Sequence, residues 1–376
     1  MDMQQRKIRQ DNRDMAIKLM IPVAILGKLI QLYILPEKYF YDSWRMALMM
    51  QGETSQGWWS GYETTINIFS KINILGLKTP RQWSILLGII FTLMLVALVS
   101  RVKEMSMSEC IYTLMATGLM NIYVFNLAKE PIQMTYFFVI MLIILLPIKN
   151  TFIKIMGCCG IYYWEANTFR EYYIMMAAMV VVLYFIFLWL RRRRKIKVFY
   201  IVLALIVSIA SMIAFVYASQ YVAPEAYDDV MIVRDKYSND EATSAINNPI
   251  EVNGNFGIWA LDYVLAAIRM MIPVEMIVKS PVYAPFFVYQ IFVLVYLIRA
   301  MKNVKHLNTQ LLLALSCFSA YLLGSFVFEP DFGSWVRHEA ATFPIFYLMA
   351  YEDLGLKNKV IENKLEQRKQ YETTNA

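Results

Sequence analysis

Residues 172–195 read YYIMMAAMVVVLYFIFLWLRRRRK. The run 172–190 carries no charge and, as helix, is long enough to cross a hydrocarbon core of ~30 Å. It stops abruptly at Arg191, Arg192, Arg193, Arg194 and Lys195. A basic cluster of that density beside an apolar run marks the cytoplasmic side of a membrane. The stretch therefore predicts a spanning helix and sets its direction, with residue 172 outside and residue 190 inside.

Working outward from that marker, about ten apolar segments can be drawn. They cover roughly 15–35, 82–100, 107–126, 132–148, 151–163, 172–190, 198–220, 282–297, 311–328 and 340–351. Arg6, Lys7, Arg9 and Arg13 precede the first. Arg101 and Lys103 follow the second, and Arg299, Lys302 and Lys305 follow the eighth. These clusters fall on the same side as 191–195, and both termini fall with them. Segments 151–163 and 340–351 are short for a crossing, and 151–163 reads as a half-span or re-entrant piece. The expected fold is all-α: a polytopic integral membrane protein of about ten transmembrane helices, one membrane domain over 1–376 with a charged cytoplasmic tail at 352–376. The long outer segment 221–281 divides in two. Its part 224–252 is acidic, with Asp228, Asp229 and Asp240, and reads as a mobile loop. Its part 256–278 reads as a helix lying at the outer interface and roofing a cleft.

Composition supports this drawing. Of 376 residues, 59% are hydrophobic, against about 45–50% in a soluble domain, so little chain remains for separate soluble domains. The net charge of +7 comes from clusters beside spans. There it sets orientation and meets anionic lipid, so it does not point to nucleic acid. Cys110, Cys158, Cys159 and Cys317 lie in or beside apolar segments with no disulfide-framework or metal-ligand spacing, and are expected to be packing residues. Residues 1–13 are polar and basic with no cleavage pattern, so the first span is expected to stay as an anchor.

Five charged constellations fall on the outer side. They are Asp42 with Arg45, Lys129 with Glu130, Glu165 with Arg170 and Glu171, Asp262 with Arg269, and Glu329 and Asp331 with Arg337 and His338. Charges held at bilayer edges mark function more often than packing. Arg grips phosphate oxygens in pairs and Lys acts as a point charge, so their grouping suits an anionic ligand. A neighbouring carboxylate, or His338, can take a proton from a hydroxyl. Trp58, Trp59, Tyr62, Tyr162, Tyr163, Trp164, Tyr172, Tyr173 and Trp335 crowd the same side. Most belong to an interfacial belt, and some are placed to stack on sugar rings. No phosphate-cradling Gly-rich loop and no G-x-S-x-G elbow is present. No His, Cys and Asp spacing suggests a metal. Lys28 is the main charge inside a span, and it is expected to snorkel to an interface.

Four segments carry a resemblance: YFYDSWRMALMM (39–50), LAKEPIQ (127–133), ANTFREYY (166–173) and FGSWVRHEAATFPI (332–345). With them the chain resembles the Wzy-type polymerases, including the EpsG-like branch. Those enzymes join lipid-linked oligosaccharide repeat units into bacterial capsule, exopolysaccharide or O-antigen. The resemblance implies glycosyl transfer at the outer face of the bacterial cytoplasmic membrane. A hydroxyl of one repeat unit attacks the anomeric carbon of another, and undecaprenyl diphosphate leaves. It implies Lys129, Arg170 and Arg337, with Arg45, on the diphosphate. Asp42, Glu130 or Glu171 would activate the hydroxyl, with His338 as their rival. Trp164, Tyr173 and Trp335 would face saccharide. No metal, cofactor or nucleotide sugar is implied. The partners would be the lipid-linked oligosaccharide and membrane lipid, together with a flippase and a chain-length regulator of the same pathway. Three alternatives stay open. Another polyprenyl-linked-sugar glycosyltransferase is one, although Ser43 stands where a second acid would follow Asp42. An O-antigen-type ligase would use the same basic site. A flippase would call for more spans and a charged central cavity.

Overall fold

The computed structural model describes residues 3–54, 59–237, 244–248 and 250–351. Trp58, Asp240 and the expected tail 352–376 lie outside the described residues. Among the described residues the chain is helical, and the extended pairing consists of one antiparallel bridge between Ala245 and Asp331.

Helix α1 (Met3–Leu29) runs into a π turn, Ile30–Ile34, and a 3-10 turn, Glu37–Phe40, leads into α2 (Tyr41–Met50). Next come α3 (Trp59–Ile72), α4 (Pro80–Val99) and α5 (Met107–Leu119), the last ending in a second π turn, Met120–Val124. Then follow α6 (Glu130–Leu145), α7 (Thr151–Thr168), α8 (Tyr173–Arg191), α9 (Val198–Val222) and α10 (Pro224–Tyr237). The chain continues through α11 (Phe256–Met271), α12 (Val274–Lys279), α13 (Ala284–Lys302), α14 (Thr309–Phe328), α15 (Phe332–Ala341) and α16 (Phe343–Ala350). Local chemistry sets several starts. Thr79 with Gln82, and Ser106 with Glu109, form capping boxes that satisfy the first free N–H groups of α4 and α5.

Six of these helices are long and apolar enough to cross a membrane: Met3–Ile34, Pro80–Val99, Tyr173–Arg191, Val198–Val222, Ala284–Lys302 and Thr309–Phe328. Helix α6 is similarly apolar but shorter. Their outward faces are oily. Phe199, Val202, Leu205 and Ile206 of α9 are all exposed, an arrangement suited to hydrocarbon and not to water. The architecture is consistent with a multi-pass membrane protein.

Of the other four expected segments, 132–148 falls on α6, and the remaining three differ in detail from the drawing. Segment 107–126 is α5 plus a π turn. Segment 151–163 belongs to the longer α7, which packs on α6 and α8. Segment 340–351 does not form one crossing. Its helix breaks at Thr342, with Pro344 in the first turn of α16, and α16 packs against α14 and α6. The stretch expected as a mobile loop is helical over Pro224–Tyr237. Val230 and Met231 are buried there, and the helix packs on α9 and α14 while Asp228 and Asp229 stay exposed. The expected interfacial helix 256–278 is two helices, broken at Ile272 and Pro273.

Helix α14 is buried along nearly its whole length and forms the centre. Helices α6, α7, α8, α9, α10, α11 and α16 pack around it. Tyr162 of α7 and Tyr263 of α11 each donate a hydroxyl hydrogen to its carbonyls, at Cys317 and Leu323, over 3.0 Å in both cases. A second group, α1, α4 and α5, packs beside it. All four cysteines are free.

The two ends of the bundle differ. At one end Arg13 reaches Ser100 O at 3.1 Å, Met105 N reaches Arg9 O at 3.0 Å, and Arg191 reaches Leu307 O at 3.4 Å. The basic clusters therefore gather there. The other end holds the starts of α6 and α8 and the end of α14.

Helices α1 and α5 meet through small residues. A Cβ on Gly27 would lie 3.0 Å from Gly118 O and 3.2 Å from Asn121 Cβ. Close backbone approach of this kind is how helices associate in lipid, where burial of oil against oil gives little drive. Gly27→Leu should push α1 off α5 and destabilise the fold by about 1–3 kcal/mol, the usual scale of overpacking. Thermal unfolding in detergent would register this as a lower midpoint, and an unchanged midpoint would contradict the packing described.

Candidate functional site

The end away from the basic clusters holds a ring of charged residues from α2, α6 and α15 and from the turns at Lys129, Arg170 and Glu329. Its foundation is the corner between α5 and α6. The π turn ends α5 early, and residues 125–129 fold back before α6 starts at Glu130. That corner is pinned from α1. Lys28 donates through Nζ to Phe125 O at 2.7 Å, Ser84 Oγ at 2.9 Å and Gln31 Oε1 at 2.9 Å. Asn126 Oδ1 lies 3.4 Å away and also accepts from Ser84 Oγ at 3.0 Å. Lys28 thus turns inward instead of snorkelling, because an ammonium in a poorly solvated site needs several oxygens. Gly88 leaves room for it: a Cβ there would come within 2.5 Å of Lys28 Cε.

Lys129 and Glu130 project from this corner and meet three other segments. Lys129 Nζ lies 4.1 Å from the centroid of the Tyr62 ring. The Tyr62 hydroxyl donates to Asp42 Oδ1 at 2.9 Å, and Arg45 Cζ lies 5.9 Å from the same ring. Helix α3 can come this close because residue 61 is glycine, where a Cβ would collide with Phe169 O at 2.8 Å. Across the ring, Glu130 Oε1 lies 3.8 Å from Arg337 Nε and 3.5 Å from His338 Nε2. His338 Nδ1 lies 2.6 Å from Glu329 Oε1. Arg170 Nη2 lies 3.3 Å from His338 Nε2, and Arg170 also hydrogen-bonds the Tyr172 hydroxyl.

The start of α15, which carries Arg337 and His338, is held by a strap. Asp331 caps the helix by accepting from Ser334 N at 2.8 Å and Ser334 Oγ at 2.7 Å. Ile246 N reaches Pro330 O at 2.8 Å, and Phe332 N reaches Ser244 O at 2.9 Å. Arg269 Nη1 donates to Asn247 O at 2.7 Å, so α11 acts on the site through residues 244–248.

The hydrogen-bond roles at His338 follow from its neighbours. Arg can only donate, so Nε2 accepts from Arg170 and the ring proton sits on Nδ1, donating to Glu329. Burial alone would raise Glu329. The hydrogen bond from His338 and the nearby Arg170 and Arg337 outweigh that and hold it below the ordinary carboxylate range. Lys129 is lowered to about 8, first by burial and then by repulsion from Arg170, with Asp42 and Glu130 opposing. Among the described residues neither Lys129 nor Arg170 forms an ion pair with a carboxylate. Glu130 Oε2 is buried with no hydrogen-bond partner. Two cations outside ion-pair distance of the described carboxylates, beside a carboxylate oxygen without a donor, leave places for an anion and for a hydroxyl.

The structure thus brings together Asp42, Arg45, Lys129, Glu130, Arg170, Arg337 and His338. Glu171 stands apart and exposed. Trp164 is 55% exposed and packs edge-on against Tyr136. Tyr173 and Trp335 are fully buried. Tyr173 stacks on Tyr162 and Trp335 on Tyr321, so neither presents an open ring face to a sugar. Glu165 is fully buried beside Tyr173. The Asp262 and Arg269 constellation lies elsewhere, with Arg269 gripping both oxygens of Glu275 at 2.9 and 3.0 Å. Sequence reasoning gave no separate role to Glu329 or Lys28. Glu329 is nine residues from His338, a spacing that no helical periodicity selects, and the contact depends on the turn at Pro330.

No family model, curated protein or solved structure matches this chain.

Competitive acetylation of the intact protein across pH tests the electrostatics. Lys129 should titrate near pH 8, while an exposed lysine titrates near about 10.4. Arg170→Gln removes a repelling charge and should move the Lys129 midpoint upward. A midpoint that stays put in this variant would refute the contact.

Proposed function

We propose that this protein is a membrane glycosyltransferase of the polysaccharide-polymerase type. It would join undecaprenyl-diphosphate-linked oligosaccharide repeat units in a bacterial cytoplasmic membrane. In this reading both termini are cytoplasmic, about ten segments enter the membrane, and the charged ring opens on the outer face. The observation that carries the reading is the pairing of Lys129 and Arg170, cations without a carboxylate at ion-pair distance, with the open Oε2 of Glu130.

The chemistry needs both parts. As the bond from the anomeric carbon to the diphosphate breaks, negative charge grows on the leaving oxygen. Lys129, Arg170 and Arg337 supply fixed positive charge there, the kind of preorganisation that contributes several kcal/mol. The acceptor hydroxyl donates to Glu130 Oε2 while its oxygen bonds to the anomeric carbon. Glu130 takes that proton and passes it to His338 Nε2, which lies 3.5 Å from Glu130 Oε1 and is freed when Arg170 turns to the diphosphate, and Glu329 steadies the imidazolium through Nδ1. Asp42 keeps Tyr62 in place against Lys129. The exposed ring of Trp164 is the remaining saccharide-stacking candidate. Lipid carrier, flippase and chain-length regulator stay as proposed partners.

The purified protein should convert an undecaprenyl-diphosphate-linked oligosaccharide into a ladder of repeat units and release the lipid diphosphate. Transfer of the oligosaccharide to a different acceptor, without a ladder, would favour a ligase. No turnover of a pathway-matched substrate by folded protein would reject the assignment. Arg170→Ala and Arg337→Ala should each reduce ladder formation by about 100-fold or more without loss of membrane insertion.

The pH dependence has a defined sign. Lys129 is cationic below its value of about 8 and neutral above it. In free enzyme, kcat/KM should therefore fall as pH rises through about 8. Lys129→Arg, which stays charged, should carry that limb to higher pH. A limb unmoved by this variant would remove Lys129 from diphosphate binding.

A further inference from the structure

The opposite end of the bundle holds a second charged feature that the reaction does not use. An open hollow of about 530 Å³ lies between the end of α8 and the start of α9, lined by Arg193, Arg194, Lys195, Lys197 and Tyr200. Arg193 is held in a fixed position there: its guanidinium carbon lies 4.0 Å from the Trp189 ring centroid and 5.1 Å from that of Tyr200. The turn after α13 adds to the same surface. Lys305 Nζ donates to Arg194 O at 3.1 Å, which brings Lys305 beside the run.

Among the described residues, none of Arg193, Arg194, Lys195 and Lys197 lies at ion-pair distance from a carboxylate. The sequence contains no Asp or Glu between Glu171 and Glu225, and none between Glu275 and Glu329. Arg6 and Arg9, at the same end, differ in having acidic partners. Arg6 lies 2.7 Å from Glu104, and Arg9 lies 3.7 Å from Glu104 and 3.6 Å from Glu109. Setting membrane orientation needs only positive charge. It does not need a guanidinium set against two aromatic rings at the edge of a hollow, a placement that leaves its N–H groups able to bind phosphate oxygens.

The surroundings say where that phosphate comes from. Just beyond the hollow, α9 exposes Phe199, Val202 and Ile206. Their spacing of three and four residues puts them on one helix face. A ligand with a phosphate in the hollow can lay acyl chains along that face. A free phosphate or a nucleotide would leave the stripe unused.

We propose that this hollow is a binding site for the phosphate headgroup of an acidic phospholipid, whose acyl chains run along the exposed face of α9. Trp189 and Tyr200 hold the arginine that reads the phosphate, and Arg194, Lys195 and Lys197 supply the field around it.

Native mass spectrometry of the full-length protein in detergent, titrated with dioleoyl phosphatidylglycerol or dioleoyl phosphatidylcholine, tests this directly. Phosphatidylglycerol adducts should dominate over phosphatidylcholine adducts. Arg193→Gln and Lys197→Gln should each weaken phosphatidylglycerol binding by about five-fold, the scale of one basic residue at an anionic surface. Arg9→Gln, which removes a base with acidic partners, should leave it unchanged. Arg193→Lys keeps the charge that orients the helix but loses the planar guanidinium. It should still bind phosphatidylglycerol more weakly than wild type, which decides the matter if the neutral variants fail to fold. Equal retention of the two lipids, or wild-type binding by the Arg193 variants, would overturn the proposal. So would full displacement of phosphatidylglycerol by millimolar inorganic phosphate, which would make the hollow a site for soluble anions.

Discussion

The ammonium of Lys28 bridges the oxygens of Phe125, Ser84 and Gln31, and the charged mouth of the bundle rests on that knot. A lysine within a spanning helix can be held by water at an interface or by protein oxygens in the interior. Here it is held by oxygens from three segments. Satisfying the ammonium fixes the carbonyl of Phe125 and the side chain of Asn126, and so fixes the corner where α5 ends and α6 begins. Lys129 and Glu130 inherit their positions from that corner. The π turn at Met120–Val124 belongs to the same device, since it places the bend before the helix would otherwise continue.

The ring above this knot is stable because its charges answer one another incompletely. Glu130 approaches Arg337 and His338, and Glu329 holds the far nitrogen of the imidazole. Lys129 rests on the face of Tyr62. The π face is a weaker partner than a carboxylate, so the lysine keeps capacity for an incoming anion. Full pairing would have left the site inert, whereas no pairing would have made burial of so many charges prohibitive. The intermediate arrangement suits the proposed reaction, which takes a multiply charged ligand in and releases it again.

The two ends of the molecule solve opposite problems. At the mouth, acids and bases alternate in space, although they lie far apart in the chain. At the other end, bases accumulate without acids along two stretches of sequence, and two aromatic rings are set against Arg193. The first arrangement suits chemistry that must move protons. The second suits a standing anionic partner at the membrane surface.

The sequence by itself determined the helical, membrane-spanning character, because apolar runs bounded by basic clusters are a one-dimensional property. It also placed Asp42, Lys129, Glu130, Arg170, Arg337 and His338 at helix ends on one side, where a charge in such a chain can reside. Only the tertiary structure decided that these six meet, while Glu171 turns outward and Tyr173 and Trp335 close into the packing. Adjacent residues on a helix point about 100° apart, and which of them faces the neighbours depends on how α6, α8 and α15 are rotated about α14. The partnership of His338 with Glu329 and the inward turn of Lys28 likewise had no local signature. Each arises where a polar group must be satisfied by another segment, and the sequence does not say which segment will be near.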